Sequence, residues 1–183
     1  MLPSRLYLLT STSSMLTLRP ATAADLPAIL RIVRHVVPLM QASGNQQWSL
    51  DYPNEEVFRR DLERGHLWVA ELDGRVAAAA ALTHNDQDPE YAQADWDPLE
   101  PALVTHRLAV DPAAQGQGLA AALLGQAEEL ARQQNLRVLR VDTNSENQAT
   151  QCLFPKLGYR FVGEITLAFR PGLRFFCYEK WVG

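Results

Sequence analysis

The run Leu108-Ala109-Val110-Asp111-Pro112-Ala113-Ala114-Gln115-Gly116-Gln117-Gly118-Leu119-Ala120 passes from an apolar strand pattern through a glycine turn into an apolar helical repeat. A helix N-terminus presents N–H groups without intrahelical partners and a partial positive charge, and glycine beside it lets an anion approach the backbone without meeting a β-carbon. Phosphate suits such a segment, although a plain structural turn reads from the same Gly-x-Gly pair. No Lys-Ser or Lys-Thr follows the glycines, which excludes a P-loop, and the third glycine of a dinucleotide fingerprint is missing. His106 stands two residues before Leu108, and an imidazole with an ordinary pKa of about 6.5 suits proton removal near neutrality. A hydrogen-bonded structural histidine fits the same position. Glu100, in the loop that leads into this strand, is a second candidate base, with a solvated carboxylate as the plain alternative. Cys177 lies between Phe176 and Tyr178 with no base beside it in sequence, so it reads as a small buried apolar residue rather than a nucleophile.

Such a turn works only if a strand and a helix hold it, and the pattern supplies both. Leu103 to Val110 reads as a strand, and Leu119, Leu123, Ala127, Leu130 and Ala131 recur at helical spacing after the glycines. Upstream, Leu16 to Arg19 reads as a first strand. Leu26, Ile29, Leu30, Val33, Val36 and Val37 form a helical stripe that Pro38 is expected to end or kink. Asn54 can cap a short helix closed by Gly65, and Asp73-Gly74 reads as a hairpin turn between His66–Leu72 and Arg75–Thr83. Alanine from 77 to 81 favours helix by propensity, but its place after an Asp-Gly turn predicts a return strand. Downstream come a strand from Leu136 to Val141, a helix opened by Asn147 and ended by Gly158, and a strand over 159–162. A hairpin turning at Pro171-Gly172, between Ile165 to Phe169 and Phe175 to Trp181, completes the chain.

The 183 residues carry 17 Lys and Arg against 21 Asp and Glu, a net charge of −4. One domain is expected, with no concentrated basic face for a nucleic-acid backbone. The longest apolar run, Val76 to Leu82, is far below the roughly 18 to 20 residues that a membrane-spanning helix needs. Cys152 and Cys177 form no disulfide framework or zinc-ligand pattern; no metal is expected, and a reduced, cytoplasmic setting is. Residues 1–14 read as a flexible N-terminal extension without the features of a signal peptide, leaving 15–183 as the domain. Between His84 and Glu100 there are six acidic residues and no Lys or Arg. That run would either concentrate a cationic substrate or simply form a solvated loop.

The Gln115-x-x-Gly118-x-Ala120 segment after Leu-Ala-Val, with Asn147 and the helix end Lys156-Leu157-Gly158-Tyr159 further on, resembles the GNAT superfamily of acetyl-CoA-dependent N-acetyltransferases over about Leu16 to Trp181. The resemblance implies an α/β (α+β) domain: a mixed, mostly antiparallel central sheet flanked by helices, whose two central strands splay to form the acetyl-CoA cleft. It implies that the strand backbone at Leu108, Ala109 and Val110 pairs with the pantetheine arm. The amides of Gln115, Gly116, Gln117, Gly118, Leu119 and Ala120 would hold the pyrophosphate. Asn147 would contact the cofactor while also serving as a helix cap. His106 or Glu100 would be the base, and the N–H of Val110 would polarise the thioester carbonyl. Trp48, Tyr52, Tyr91 and Trp96 fall in segments expected to line the acceptor side.

One position departs from the pattern. Phe154 stands where many relatives carry a tyrosine that protonates the leaving thiolate, which leaves water or another hydroxyl such as Tyr178 for that step. The expected activity is direct transfer of an acetyl group from acetyl-CoA to a primary amine, with a small basic metabolite as acceptor. A CoA-binding sensor without chemistry and an acetyltransferase acting on protein amino groups are the alternatives, and edge strands allow a homodimer.

Overall fold

The structure is a computed structural model describing residues 14–85 and 89–182. The reading of residues 1–14 therefore lies, Ser14 apart, outside the described residues, as do Asp86 and Asp88 of the acidic run.

Seven strands form one sheet: β1 Leu16–Pro20, β2 Leu67–Leu72, β3 Arg75–His84, β4 Ala102–Val110, β5 Val138–Asn144, β6 Arg160–Thr166 and β7 Arg174–Trp181, in the spatial order β1-β2-β3-β4-β5-β7-β6. Every neighbouring pair is antiparallel except β4 with β5. Four helices flank it, α1 Leu26–Ala42, α2 Glu55–Glu63, α3 Leu119–Gln133 and α4 Gln148–Lys156.

Alanine in β3 is explained by what lies on either side. Ala78 and Ala80 are fully buried in the cluster with α3, while Ala79 is fully buried in the cluster with α1. A strand covered on both faces reads as an unbroken apolar run, and small side chains let both helices come close to the sheet. Position after the Asp73-Gly74 turn therefore overrides helix propensity.

Two further expectations are corrected, the first in that Pro38 does not end its helix. Helix α1 runs through Pro38 to Ala42, because the stripe continues past the proline: Met40 still packs against the α1 cluster, and the missing backbone N–H removes one hydrogen bond without ending the helix. The segments 159–162 and 165–169, taken as separate strands, meet in one strand, β6, which is bulged between Phe161 and Gly163 and ends at Thr166, so that 167–169 lie beyond it. Gly163 has φ +139, and a Cβ there would stand 3.3 Å from the Cα of Ala94. The bulge thus makes room for the 89–97 loop, which crosses β6 with the Asp95 N–H donating to the Val162 carbonyl at 2.7 Å.

Candidate functional site

Strands β4 and β5 are paired only from Ala102↔Val138 to Thr105↔Val141. Beyond that point residues 106–110 of β4 and 142–144 of β5 part, leaving a wedge that widens toward the C-terminal ends of both strands. A β-bulge lies at the start of the wedge. Ala79 faces Ala109 and Ala81 faces His106, so Arg107 and Leu108 together oppose Ala80. Arg107 takes φ +54 to make that step, a left-handed conformation that costs a residue with a Cβ roughly 1–2 kcal/mol.

The bulge also resets which backbone groups face the wedge. The Asp111 N–H donates to the Ala77 carbonyl at 2.8 Å, so alternation along the strand turns the amide of Val110 away from β3 and into the wedge. What holds Arg107 in place comes from far away in sequence. Its Nε and Nη2 each donate to a carboxylate oxygen of Asp61, on α2, at 2.7 Å. Burial lowers the pKa of this guanidinium, but the hydrogen bonds and charge of Asp61 outweigh that and hold it above the ordinary value.

Past β4, Asp111 accepts from the Ala113 N–H and starts a short turn, and the chain then enters α3 through Gly116 at φ +77 and Gly118 at φ +78. Only glycine adopts these angles without strain. A Cβ built on either glycine meets no protein atom within 4 Å. The space above the turn is therefore open, and the first amides of α3, Leu119 to Ala121, point toward it without helical acceptors. Such a turn fits a pyrophosphate by donor chemistry and by room.

The wedge and the turn open into one cavity of about 770 Å³. Leu108, Ala109, Val110, Gln115, Gly116, Gly118, Leu119, Ala120, Asn147 and His106 all line it. Gln117 is not among the lining residues. Asn147 caps α4, its side chain accepting from the Thr150 N–H. Trp48 and Tyr52 line the other end, on the 43–54 connection, which is tied across the cleft where the Asn144 N–H donates to the Gln47 side chain at 3.3 Å.

Several expected residues lie elsewhere. Glu100 precedes β4 at the end remote from the wedge and holds Arg137 through two hydrogen bonds of 3.1 and 2.9 Å; it does not reach the cavity, so a role as base is withdrawn. Tyr91 and Trp96 are buried beneath the sheet in the 89–97 loop, their rings 5.1 Å apart, with the Arg140 guanidinium over Trp96. They form a core rather than an acceptor wall. The described part of the acidic run lies outside the cavity as well: Glu90, Asp95, Asp97 and Glu100 are absent from its lining, so the geometry gives no support to steering of a cationic amine. Tyr178 packs edge-on against the cavity-lining Phe154 at 5.1 Å but is not itself among the lining residues. Cys177 is fully buried, and burial pushes its thiol far above the ordinary range, which removes it as a nucleophile.

Three charged cavity residues escaped the sequence reading: Arg107, Asp142 and Arg170. Arg107 is a charge inside an apolar strand, a signal that was present but had no visible partner. Asp142 directly follows the last paired residue of β5, as His106 follows that of β4, so the two stand side by side on one sheet face where the strands begin to part. The Tyr91 hydroxyl donates to Oδ1 of Asp142 from below.

Comparison with known proteins agrees with this geometry. The acetyltransferase (GNAT) family pattern matches residues 34–159, and the chain belongs to that family. An L-methionine sulfoximine/L-methionine sulfone acetyltransferase of Pseudomonas aeruginosa is 29% identical over 154 residues, covering 81% of this chain and 83% of that protein. A GNAT family acetyltransferase of Streptococcus agalactiae superposes with a TM-score of 0.78 at 27% identity, covering 91% of this chain and 95% of the other. The yncA protein of Salmonella typhimurium, solved with acetyl-CoA, shares the fold with a TM-score of 0.63 at 21% identity, over 92% and 94% of the two chains. The chain is thus an acetyltransferase of the GNAT family, a family that uses acetyl-CoA as its acetyl donor.

Proposed function

We propose that this chain transfers the acetyl group of acetyl-CoA to the primary amine of a small molecule by direct attack, with His106 as the base. The observation that carries the reading is the wedge between β4 and β5, which opens onto the glycine turn at one end and His106 at the other within a single cavity. The amides of the turn and of α3 would hold the pyrophosphate, and the unpaired edge of β4 from Leu108 to Val110 would meet the amides of the pantetheine arm. At the thioester, the Val110 N–H would donate to the carbonyl oxygen, where negative charge grows as the amine attacks.

The reaction balances without a covalent enzyme species. The acceptor enters as an ammonium and loses one proton to His106; its nitrogen lone pair forms the N–C bond while the C–S bond breaks, and the second proton of the acylated nitrogen leaves to solvent to give the neutral amide. The departing thiolate takes a proton from solvent, since Phe154 has none to give and a thiol with pKa of about 8.5 leaves readily near neutrality. Support for a small acceptor comes from the 43–54 connection, which borders the cavity and is tied to β5 through Gln47, and from the Pseudomonas relative named for two amino-acid-like acceptors.

Thiol release from acetyl-CoA, followed beside mass detection of the acetylated product over a broad panel of amines, tests the reading. Release should depend on an amine and match product one for one. In His106→Gln, kcat should fall and the acidic limb of the pH profile should vanish. Release matched by product but with an unaltered pH profile in His106→Gln would remove His106 as the base.

A further inference from the structure

We propose that the acceptor is a zwitterion of the α-amino-acid type, its carboxylate seated on Arg170 and its ammonium group received by Asp142 beside His106. This rests on the reading of the cavity as an acetyl-transfer site. Among the described residues, the charged side chains that line the cavity are Arg107, Asp142 and Arg170. Arg107 is already neutralised by the two-pronged bond to Asp61. One cation and one anion are left to meet a ligand.

Arg170 is prepared for a planar anion. It lies in the connection between β6 and β7, and its guanidinium sits over the Tyr52 ring at 4.5 Å with Phe169 at 5.7 Å. Among the described residues it forms no ion pair. Stacking occupies the flat faces of a guanidinium and leaves its N–H edges, the geometry that grips a carboxylate through two parallel hydrogen bonds. Asp142 is prepared for a cation at the opposite place. The buried Tyr91 hydroxyl fixes one carboxylate oxygen from beneath, and the neighbouring position across the strand gap is His106. An ammonium held there stands next to the group proposed to deprotonate it. A polyamine would instead bring positive charge against Arg170.

Kinetics on the twenty common L-amino acids and L-methionine sulfone, each beside its C-terminal carboxamide, with spermidine and tyramine as acceptors lacking a carboxylate, test the proposal. At least one acid should be acetylated, and should exceed its amide in kcat/KM by about 10- to 100-fold, the range expected for a hydrogen bond to a charged group. Arg170→Gln should bring that ratio near one, chiefly by raising KM for the acid, and Arg170→Lys should restore part of it. Asp142→Asn should raise KM for acid and amide alike, because both carry the ammonium. Amides or carboxylate-free amines used as well as the acids, or an acid-to-amide ratio unchanged in Arg170→Gln, would overturn the zwitterion while leaving acetyl transfer intact. Transfer to none of these amines would overturn it too, and if thiol release with the wider amine panel were also absent, the acetyl-transfer reading would fall with it.

Discussion

Replacing Asp61 with asparagine removes the charge that holds the β4 bulge in its shape. Both bonds to Arg107 are 2.7 Å, and the two side chains are 14% and 8% exposed. Unit charges about 4 Å apart attract by about 4 kcal/mol at an effective dielectric of about 20, and breaking a buried pair from one side typically costs about 3–5 kcal/mol. Because Arg107 also borders the cavity, where water can reach it, the lower end of that range applies, about 3 kcal/mol. The residue it restrains holds φ +54, so losing Asp61 frees the backbone to relax by flattening the bulge. Flattening changes which amides of β4 face the wedge. Asp61→Asn should therefore lower the urea midpoint by the equivalent of about 3 kcal/mol and also reduce kcat/KM for acetyl transfer, although Asp61 lies outside the cavity lining. Arg107→Gly separates the two effects: glycine takes the positive φ without strain but strands the Asp61 carboxylate. The double variant, which removes both charges, should be more stable than either single one. Urea unfolding of all four proteins, with kcat/KM measured on each, checks this. A loss below 1 kcal/mol in Asp61→Asn with unchanged kcat/KM would refute the role given to the pair.

The remaining outcomes test other parts of the structure. Hydrogen bonds from Arg19, with smaller help from the Thr22 amide and hydroxyl, hold the Asp25 carboxyl well below the usual range against the effect of burial. A carboxyl whose folded pKa is depressed contributes stability that is complete above its unfolded pKa of about 4 and is lost as pH falls toward the folded value. Asp25→Asn should thus be less stable at pH 7 by about 1–3 kcal/mol, and its stability should fall less steeply than wild type between about pH 4 and 2 in urea melts. Cys177→Ala should cost about 1 kcal/mol in stability and leave kcat and the absence of an acetylated enzyme unchanged; a pre-steady-state burst lost in this variant would restore the thiol as a nucleophile. Glu100→Gln should keep kcat/KM within about twofold of wild type, since Glu100 is not among the cavity-lining residues and its partner Arg137 is exposed.

What could be read in the sequence was local. The glycine turn between Val110 and Leu119, the apolar spacing of α1 and α3, the Asn54 and Asn147 caps and the Asp73-Gly74 hairpin all depend on residues within a few positions of one another. Their physical causes, backbone angle, helix period and capping, act over the same range. The hidden features depend on contacts across the chain. Arg107 meets Asp61 from 46 residues away, and Tyr91 meets Asp142 across 51, so neither side chain reveals its partner by spacing. The misplacement of Tyr91 and Trp96 has the same origin: their loop passes beneath β6 because Gly163 lets it, a fact written in a strand some 70 residues later. Charge composition alone likewise pointed the acidic run at the substrate, whereas Glu100 is spent on Arg137 at the far end of β4.

The most direct test of the acetyl-CoA cleft is calorimetric titration of CoA into the wild type, Gly118→Ala and Gly118→Glu. A methyl group at this glycine meets no protein atom within 4 Å, so alanine disturbs only the φ +78 turn, whereas glutamate also places a negative charge where the pyrophosphate would lie. One site per chain is expected in the wild type, weakened in alanine and weakened at least a further tenfold in glutamate. Absence of CoA binding in the wild type, or equal affinity in all three proteins, would contradict the placement of the pyrophosphate on this turn.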